Sequence, residues 1–239
     1  YAEGHIPGAV NLGYASIIRM APPAMGLLPD EMRLSAVLSA LGLTPDMHVA
    51  AYDDEGGGRA SRLLWTLDAL GHGHFSLLNG GLQAWAAGGH PLSQQAEQPQ
   101  AKPYSAKLAD SPVVADKSYI LSRLGQADLA LLDTRSPGEY RGLDVRAARG
   151  GHIPGAVNMN WTTAMDQARQ LRFKADGELR ALLEGLGVTP DKEVIVYCQT
   201  HHRSAHTYMV LKHLGYPRIR GYPGAWSEWG NDAALPVER

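Results

Sequence analysis

One cysteine stands in this chain, Cys198, at the head of a polar run that reads Cys198-Gln199-Thr200-His201-His202-Arg203-Ser204. Before it lies Val194-Ile195-Val196-Tyr197, continuous and β-branched, as a strand buried on both faces should be. After it, Thr207, Val210, Leu211 and Leu214 recur at helical spacing and predict one apolar helix face. A turn that leaves a buried strand and enters a helix directs several backbone N–H groups into one concavity, which binds anions and stabilises a thiolate. A free thiol titrates near ~8.5, and a helix N-terminus lowers that value. The sulfur then acts as a nucleophile at neutral pH without a separate base. Arg203 adds a fixed positive charge, and His201 and His202 add donors, so an anionic substrate is attracted and oriented. Gln199, Thr200 and Ser204 complete the expected substrate-binding loop. The opposing reading is an inert, buried strand-end cysteine. The polar loop and the helix that follows argue against it.

The elements that position this loop occur twice. His5-Ile6-Pro7-Gly8-Ala9-Val10-Asn11 returns as His152-Ile153-Pro154-Gly155-Ala156-Val157-Asn158, and Leu41-Gly42-Leu43-Thr44-Pro45-Asp46 returns as Leu186-Gly187-Val188-Thr189-Pro190-Asp191. Leu70-Gly71 matches Leu214-Gly215, and Gly80 with Trp85 matches Gly224 with Trp229. Blocks in one order at a nearly constant offset mean two copies of one fold. The expected boundaries are residues 1–92 for the first copy, 93–112 for a linker and 113–239 for the second copy. The Gln-, Pro-, Ala- and Ser-rich stretch from Pro91 to Pro112 suits a linker and not a packed element. Aligning Tyr1 with Ala148 leaves the first copy without a counterpart to residues 113–147, a probable first strand included, so the sequence reads as lacking that segment.

Aligning Tyr52 with Tyr197 sets Asp53 opposite Cys198 and Asp54-Glu55-Gly56-Gly57-Gly58 opposite the polar loop. The first copy therefore keeps the scaffold, lacks the thiol and carries acid where an anion would sit. It is expected to be inert, a structural partner or a wall of the substrate cleft. In the second copy, Leu129 to Leu132 ending at Asp133 predicts a strand, Glu178 to Leu186 a helix stopped by Gly187, and Arg218 to Tyr222 a further strand. Strands alternating with helices imply an α/β fold, a largely parallel sheet with helices on both faces in each copy. Sites in such sheets lie beyond the carboxyl ends of the strands, where Cys198 falls. Asp133 and Arg135 end a strand nearby, either as support for the site's positive potential or as a structural ion pair.

Composition closes other routes. At 44% hydrophobic and 19% charged the chain can bury a core, which excludes a disordered chain. Its 22 basic and 24 acidic residues give a net charge of −2, too little positive charge for a nucleic-acid or anionic-membrane surface. No apolar run approaches the ~18 residues of a membrane span. A lone cysteine forms no disulfide within the chain and fits a reducing compartment such as the cytoplasm. His72, His74, His201 and His202 have no recognisable zinc spacing, so neither metal nor cofactor is expected.

The paired Gly-His-Ile-Pro-Gly-Ala blocks, Asp133-Thr134-Arg135 after a strand, the strand–Cys–loop–helix unit and Gly224-Ala225-Trp226-Ser227-Glu228-Trp229 resemble the rhodanese family over nearly the whole chain. The loop is most similar to that of bacterial two-domain thiosulfate sulfurtransferases. The resemblance implies two rhodanese-like domains, the first inert and the second catalytic. It also implies a double displacement, in which the Cys198 thiolate takes the outer sulfur of thiosulfate as a persulfide and cyanide or another thiophilic acceptor removes it. The loop departs from the Arg-Lys type of familiar thiosulfate enzymes and from the Gly-Ser-Gly-Val-Thr type of mercaptopyruvate enzymes, which leaves 3-mercaptopyruvate as an alternative donor. A second alternative is a sulfur carrier that hands the persulfide to a protein partner. A cysteine phosphatase would need Cys-x5-Arg, but the sixth residue after Cys198 is Ser204.

Overall fold

Glu193–Tyr197 is buried along its whole length, which is why Val194 to Tyr197 run without polar alternation. The computed structural model describes residues 1–108 and 111–239. In the first half the elements are β1 (Arg19–Ala21), β2 (Ala24–Leu27), α1 (Glu31–Ala40), β3 (Val49–Ala51), α2 (Gly58–Ala69), β4 (Phe75–Leu77) and α3 (Gly81–Ala87). The second half holds α4 (Lys117–Arg123), β5 (Leu129–Asp133), α5 (Pro137–Tyr140), β6 (Val157–Asn158), β7 (Met165–Asp166), β8 (Arg172–Phe173), α6 (Asp176–Gly185), β9 (Glu193–Tyr197), α7 (Arg203–His213), β10 (Ile219–Gly221) and α8 (Ala225–Trp229). The second-half sheet has four strands in the order β10-β9-β5-β6, and every pairing is parallel. In the first half β3 and β4 pair in parallel, Val49 against Phe75.

The two halves repeat one device around the histidine of each Gly-His-Ile-Pro block. His5 stacks on Tyr1 with ring centroids 3.7 Å apart, and His152 stacks on Tyr140 at the same 3.7 Å. Each Nδ1 lies against the carbonyl of its stacked tyrosine. The N–H that follows donates to a strand-end tyrosine hydroxyl, Ile6 to Tyr52 and Ile153 to Tyr197. Tyr1 is therefore the counterpart of Tyr140, which corrects its alignment with Ala148. The spacing misled because the second half inserts extra residues between Tyr140 and His152. Both histidines act as struts for a turn.

Helices α2 and α7 follow equivalent strands and pack against each other between the halves. Packing from both sides explains why α7 is buried from Ser204 through Leu211 and presents no single apolar stripe, contrary to the periodicity. The hairpin of β1 and β2 crosses to the other half, where the Met25 N–H donates to Ser227 Oγ at 3.1 Å.

Residues 93–112 form no helix or ladder strand among the described residues and are mostly exposed, yet the part from 102 to 108 is tied to the first half. Tyr104 and Ala106 are buried, and the chain lies along α1. Lys102 N donates to Ser39 O, Tyr104 N to Ser39 Oγ, Ala106 N to Ser35 Oγ and Leu108 N to Glu31 Oε1. Composition pointed to a loose linker. The helix hydroxyls that bind its backbone lie some seventy residues away in sequence, where composition does not register them.

Candidate active site

Strand β9 delivers Cys198 to the carboxyl edge of the sheet, and α7 begins at Arg203 with no side chain capping its first N–H groups. Those groups and the turn before them close around the sulfur. Cys198 is 1% exposed, and burial alone pushes a thiol up. The Arg203 charge, the Ser204 hydroxyl and the backbone N–H groups of Ser204 and Thr200 outweigh burial and hold it below the ordinary thiol range. What buries this cysteine is polar and positive, so the thiolate is the favoured form at lower pH than in a free thiol.

The remaining loop side chains have definite partners. Ser204 Oγ lies 2.7 Å from His201 Nδ1. Burial, then the charges of Arg62 and His202, drives His201 well below the usual imidazole range, so the ring is neutral. Its buried Nε2 has no partner, which is cheaper for a bare acceptor than for an orphaned N–H. The proton therefore sits on Nδ1, and His201 donates to Ser204, whose own proton is free to point at the sulfur. His201 takes φ +57°, a left-handed conformation that bends the loop into the helix. Gln199 turns outward and donates to Arg146 O at 2.9 Å, and His202 Nε2 lies 2.6 Å from Glu55 Oε1 of the first half. Of the loop side chains named from sequence, only Arg203 and Ser204 act on the sulfur directly. Thr200 contributes its backbone N–H, while Gln199, His201 and His202 hold the loop's shape.

Arg203 does not stand as a free cation. It forms a two-pronged pair with Glu139, Nη1 to Oε2 at 2.6 Å and Nη2 to Oε1 at 2.8 Å. Burial would raise the Glu139 carboxyl, but Arg203 and the Ser136 N–H hold it down at about 2. Asp133 and Arg135 pair with each other at 2.6 Å, and Arg135 Nη2 also donates to Gly151 O. Both are buried, and Arg135 lies over the Trp226 ring at 4.5 Å. They form a structural ion pair that fixes the end of β5.

In the first half Asp53 occupies the position of Cys198 and fills its own cradle. Oδ1 accepts from Glu55 N at 3.0 Å and Gly57 N at 2.7 Å, and Oδ2 accepts from Ala60 N at 2.9 Å. The same turn that stabilises a thiolate in one half is closed by a carboxylate in the other.

The sequence model of the rhodanese-like domain matches residues 1–88 and again 116–232. The chain belongs to the rhodanese-like family. It is 52% identical over 238 residues to a thiosulfate sulfurtransferase of Pseudomonas aeruginosa, with all of this chain and 87% of that protein aligned. A thiosulfate sulfurtransferase of Azotobacter vinelandii is 51% identical at the same coverage. A sulfur carrier protein of Thermus thermophilus is 35% identical over 251 residues, again with 100% of this chain and 87% of that protein aligned. Among solved structures, wild-type EanB superposes at a TM-score of 0.89 with 23% identity, covering 100% of this chain and 60% of that one. The chain thus spans about three fifths of that structure's length, and the likeness speaks for the fold alone.

Within this rhodanese-like fold, sequence reasoning missed the groups that reach the loop from far away. Glu139 carried a readable signal, since Ser136-Pro137-Gly138-Glu139 forms a capping box that fixes its position. Arg62 carried none, because the packing of α2 on α7 alone brings it near, and Glu55 was named only as acid in the equivalent turn and not as a partner of His202. Gly26 is a further case. A Cβ there would run into Thr200 O and lie 2.9 Å from Pro223 O, both backbone atoms that cannot swing aside. Gly26→Ala is expected to destabilise the chain by about 1–3 kcal/mol. It should also loosen the Thr200 N–H from the sulfur. Thermal unfolding and Cys198 alkylation rate check both effects, and unchanged values in both would refute the contact's importance.

Proposed function

We propose that this chain is a thiosulfate sulfurtransferase, with Cys198 as its catalytic nucleophile. The observation that carries the reading is the cradle in which the lone thiol is held below its ordinary range by amides, a hydroxyl and a guanidinium. The Cys198 thiolate attacks the outer sulfur of thiosulfate, the S–S bond of the donor breaks, and sulfite leaves with the bonding pair. A persulfide anion remains on Cys198, stabilised by the same groups. Cyanide or another thiophilic acceptor attacks the outer sulfur of the persulfide and leaves as thiocyanate in the cyanide case, which regenerates the thiolate. No proton, metal or second thiol is needed in either half-reaction. At 1% exposure Cys198 suits a small donor whose reactive sulfur is terminal and unbranched. Mercaptopyruvate also offers a terminal sulfur but carries one negative charge against the two of thiosulfate, which makes it the weaker match to a cradle that favours anions. A thiol that must stay free between turnovers suits a reducing compartment such as the cytoplasm. Among the described residues no helix is long and apolar enough to cross a membrane.

A carrier role shares the loading step, and the 35% identity to a sulfur carrier protein makes a protein acceptor a specific second reading. Intact mass after incubation with thiosulfate tests the common step. A gain of one sulfur atom is expected, and its absence would sink both readings. Sustained thiocyanate formation on adding cyanide supports the enzyme. Loading that stops at one equivalent, with sulfur leaving only to a protein thiol, supports the carrier instead.

A further inference from the structure

The cradle contains a charge that neither the sequence motif nor the loop supplies. Arg62 lies on α2, in the half without a thiol, and is fully buried. Its Nη1 donates to His201 O at 3.3 Å, and its Nη2 donates to Gly26 O at 2.8 Å and Leu27 O at 3.3 Å. Its Cζ stands 4.9 Å from the Trp65 ring, whose edge meets the His201 ring at 4.2 Å. Nε has no hydrogen-bond partner, and among the described residues no carboxylate pairs with this guanidinium. A buried cation without a counter-ion is costly and is retained where it meets negative charge. Burial lowers the Arg62 pKa to about 10, with Tyr14 and Cys198 opposing that fall, so the group stays charged at neutral pH.

The charges around the sulfur decide what this means. Arg203, the fixed cation of the loop, is matched by the buried Glu139 carboxylate. Arg203 still lowers the thiol, but Glu139 offsets part of its charge, which leaves less of it for an approaching dianion. Among the described residues Arg62 has no such match. In the internal repeat, the register of Leu70-Gly71 on Leu214-Gly215 sets Arg62 opposite His206, a buried imidazole whose pKa burial lowers to about 4, so it is uncharged at neutral pH. It sets Arg203 opposite Arg59, which pairs with Asp54 and Glu55 as Arg203 pairs with Glu139. A buried cation therefore stands at the Arg62 position in one half and not at its counterpart in the other.

We propose that Arg62 is the uncompensated cation of the active site, a positioning residue that acts through the His201 carbonyl and the loop to favour the thiolate and to select doubly charged sulfur donors. The inference rests on the sulfurtransferase reading and names the source of its donor preference. It also assigns the inert half a role in recognition.

The test compares the full chain with Arg62→Gln and Arg62→Lys. Cys198 alkylation by iodoacetamide is followed against pH, and kcat/KM is measured for thiosulfate, a dianion, and methanethiosulfonate, a monoanion. Both donors yield the same persulfide, with sulfite or methanesulfinate leaving. Removing one nearby positive charge in Arg62→Gln should move the alkylation midpoint upward and slow alkylation at pH 7 about tenfold. Thiosulfate should lose about tenfold more kcat/KM than methanethiosulfonate, because its second charge also feels the missing cation. Arg62→Lys should keep most of the discrimination. A folded Arg62→Gln with an unchanged alkylation profile and equal losses for both donors would overturn the proposal. Should Arg62→Gln not fold, Arg62→Lys decides, since loss of donor discrimination with the charge retained contradicts a charge-based role. Failure of the sulfurtransferase reading looks different. The unaltered chain would then not load sulfur from either donor, while its alkylation profile would still respond to Arg62→Gln.

Discussion

Cys198→Asp is expected to abolish sulfur transfer and leave the chain folded. The first half already shows the arrangement, since Asp53 takes amide hydrogen bonds from Glu55, Gly57 and Ala60 in the equivalent turn. A carboxylate at position 198 would find the N–H groups of Thr200 and Ser204, with Arg203 adding its charge. It keeps the electrostatics of the cradle and removes only the nucleophile. Loss of a covalent nucleophile leaves little of the rate, so activity should fall by a factor of the order of 10⁴ or more. The melting midpoint should remain within a few degrees, because a well-bonded anion replaces a well-bonded anion. The reverse exchange does not restore function. Asp53→Cys in a Cys198→Ala background places a thiol beside Asp54 and Glu55, with Arg59, the counterpart of Arg203, drawn onto those two carboxylates. That thiol should show no persulfide after thiosulfate, and losing the Asp53 acceptors should cost about 1–3 kcal/mol. Residual turnover in Cys198→Asp, or sulfur loading at position 53, would mean that the difference between the halves is not the one described.

Much of this arrangement was readable in the chain. The duplicated His-Ile-Pro-Gly blocks gave two copies, the unbroken Val194–Tyr197 run gave a doubly covered strand, and the break into polar residues at Cys198 gave the turn. These are local signals, carried by neighbours in sequence. What stayed hidden was contact between residues distant along the chain. Nothing near Arg62 announces that its side chain ends at the carbonyl of His201, 139 positions onward. Nothing in Arg203 announces Glu139 as its partner, and for that reason the sequence makes the loop look more positive than it is. His201 and His202 look like substrate donors in a list of residues. In the fold one orients Ser204 and the other meets Glu55. Residue type pointed to a nucleophilic sulfur, but which charges remain unmatched around it is a property of packing alone.

That distinction has a measurable consequence at the Arg203–Glu139 pair. The Glu139 side chain is 1% exposed and bonded at both oxygens, and its carboxyl is held at about 2 against an ordinary value of 4.5. A group whose folded pKa is depressed stabilises the fold above its unfolded pKa and loses that contribution as pH falls through the folded value. A difference of that size corresponds to about 3 kcal/mol, present above roughly pH 5 and lost progressively between about pH 4.5 and pH 2. Arg203→Gln removes the partner and leaves the carboxylate buried with the Ser136 N–H and a more distant Arg146. Stability at pH 7 should drop by about 3–5 kcal/mol, the cost of an uncompensated buried charge. Because Glu139 then protonates at higher pH, the gap from the unaltered chain should narrow steadily as the pH is lowered toward 4. Urea unfolding at pH 7 and pH 4 measures both. Glu139→Gln in the same chain removes the stranded charge, so the double variant should recover at least about 2 kcal/mol relative to additive losses. Alkylation of Cys198 should not recover with it, because the guanidinium that favours the thiolate is still missing. Additive stability losses with a constant gap between the two pH values would show that the pair is bystander geometry. Recovery of stability without recovery of sulfur reactivity would show that Arg203 holds the loop through Glu139 and the thiolate through its own charge, two separable contributions from one side chain.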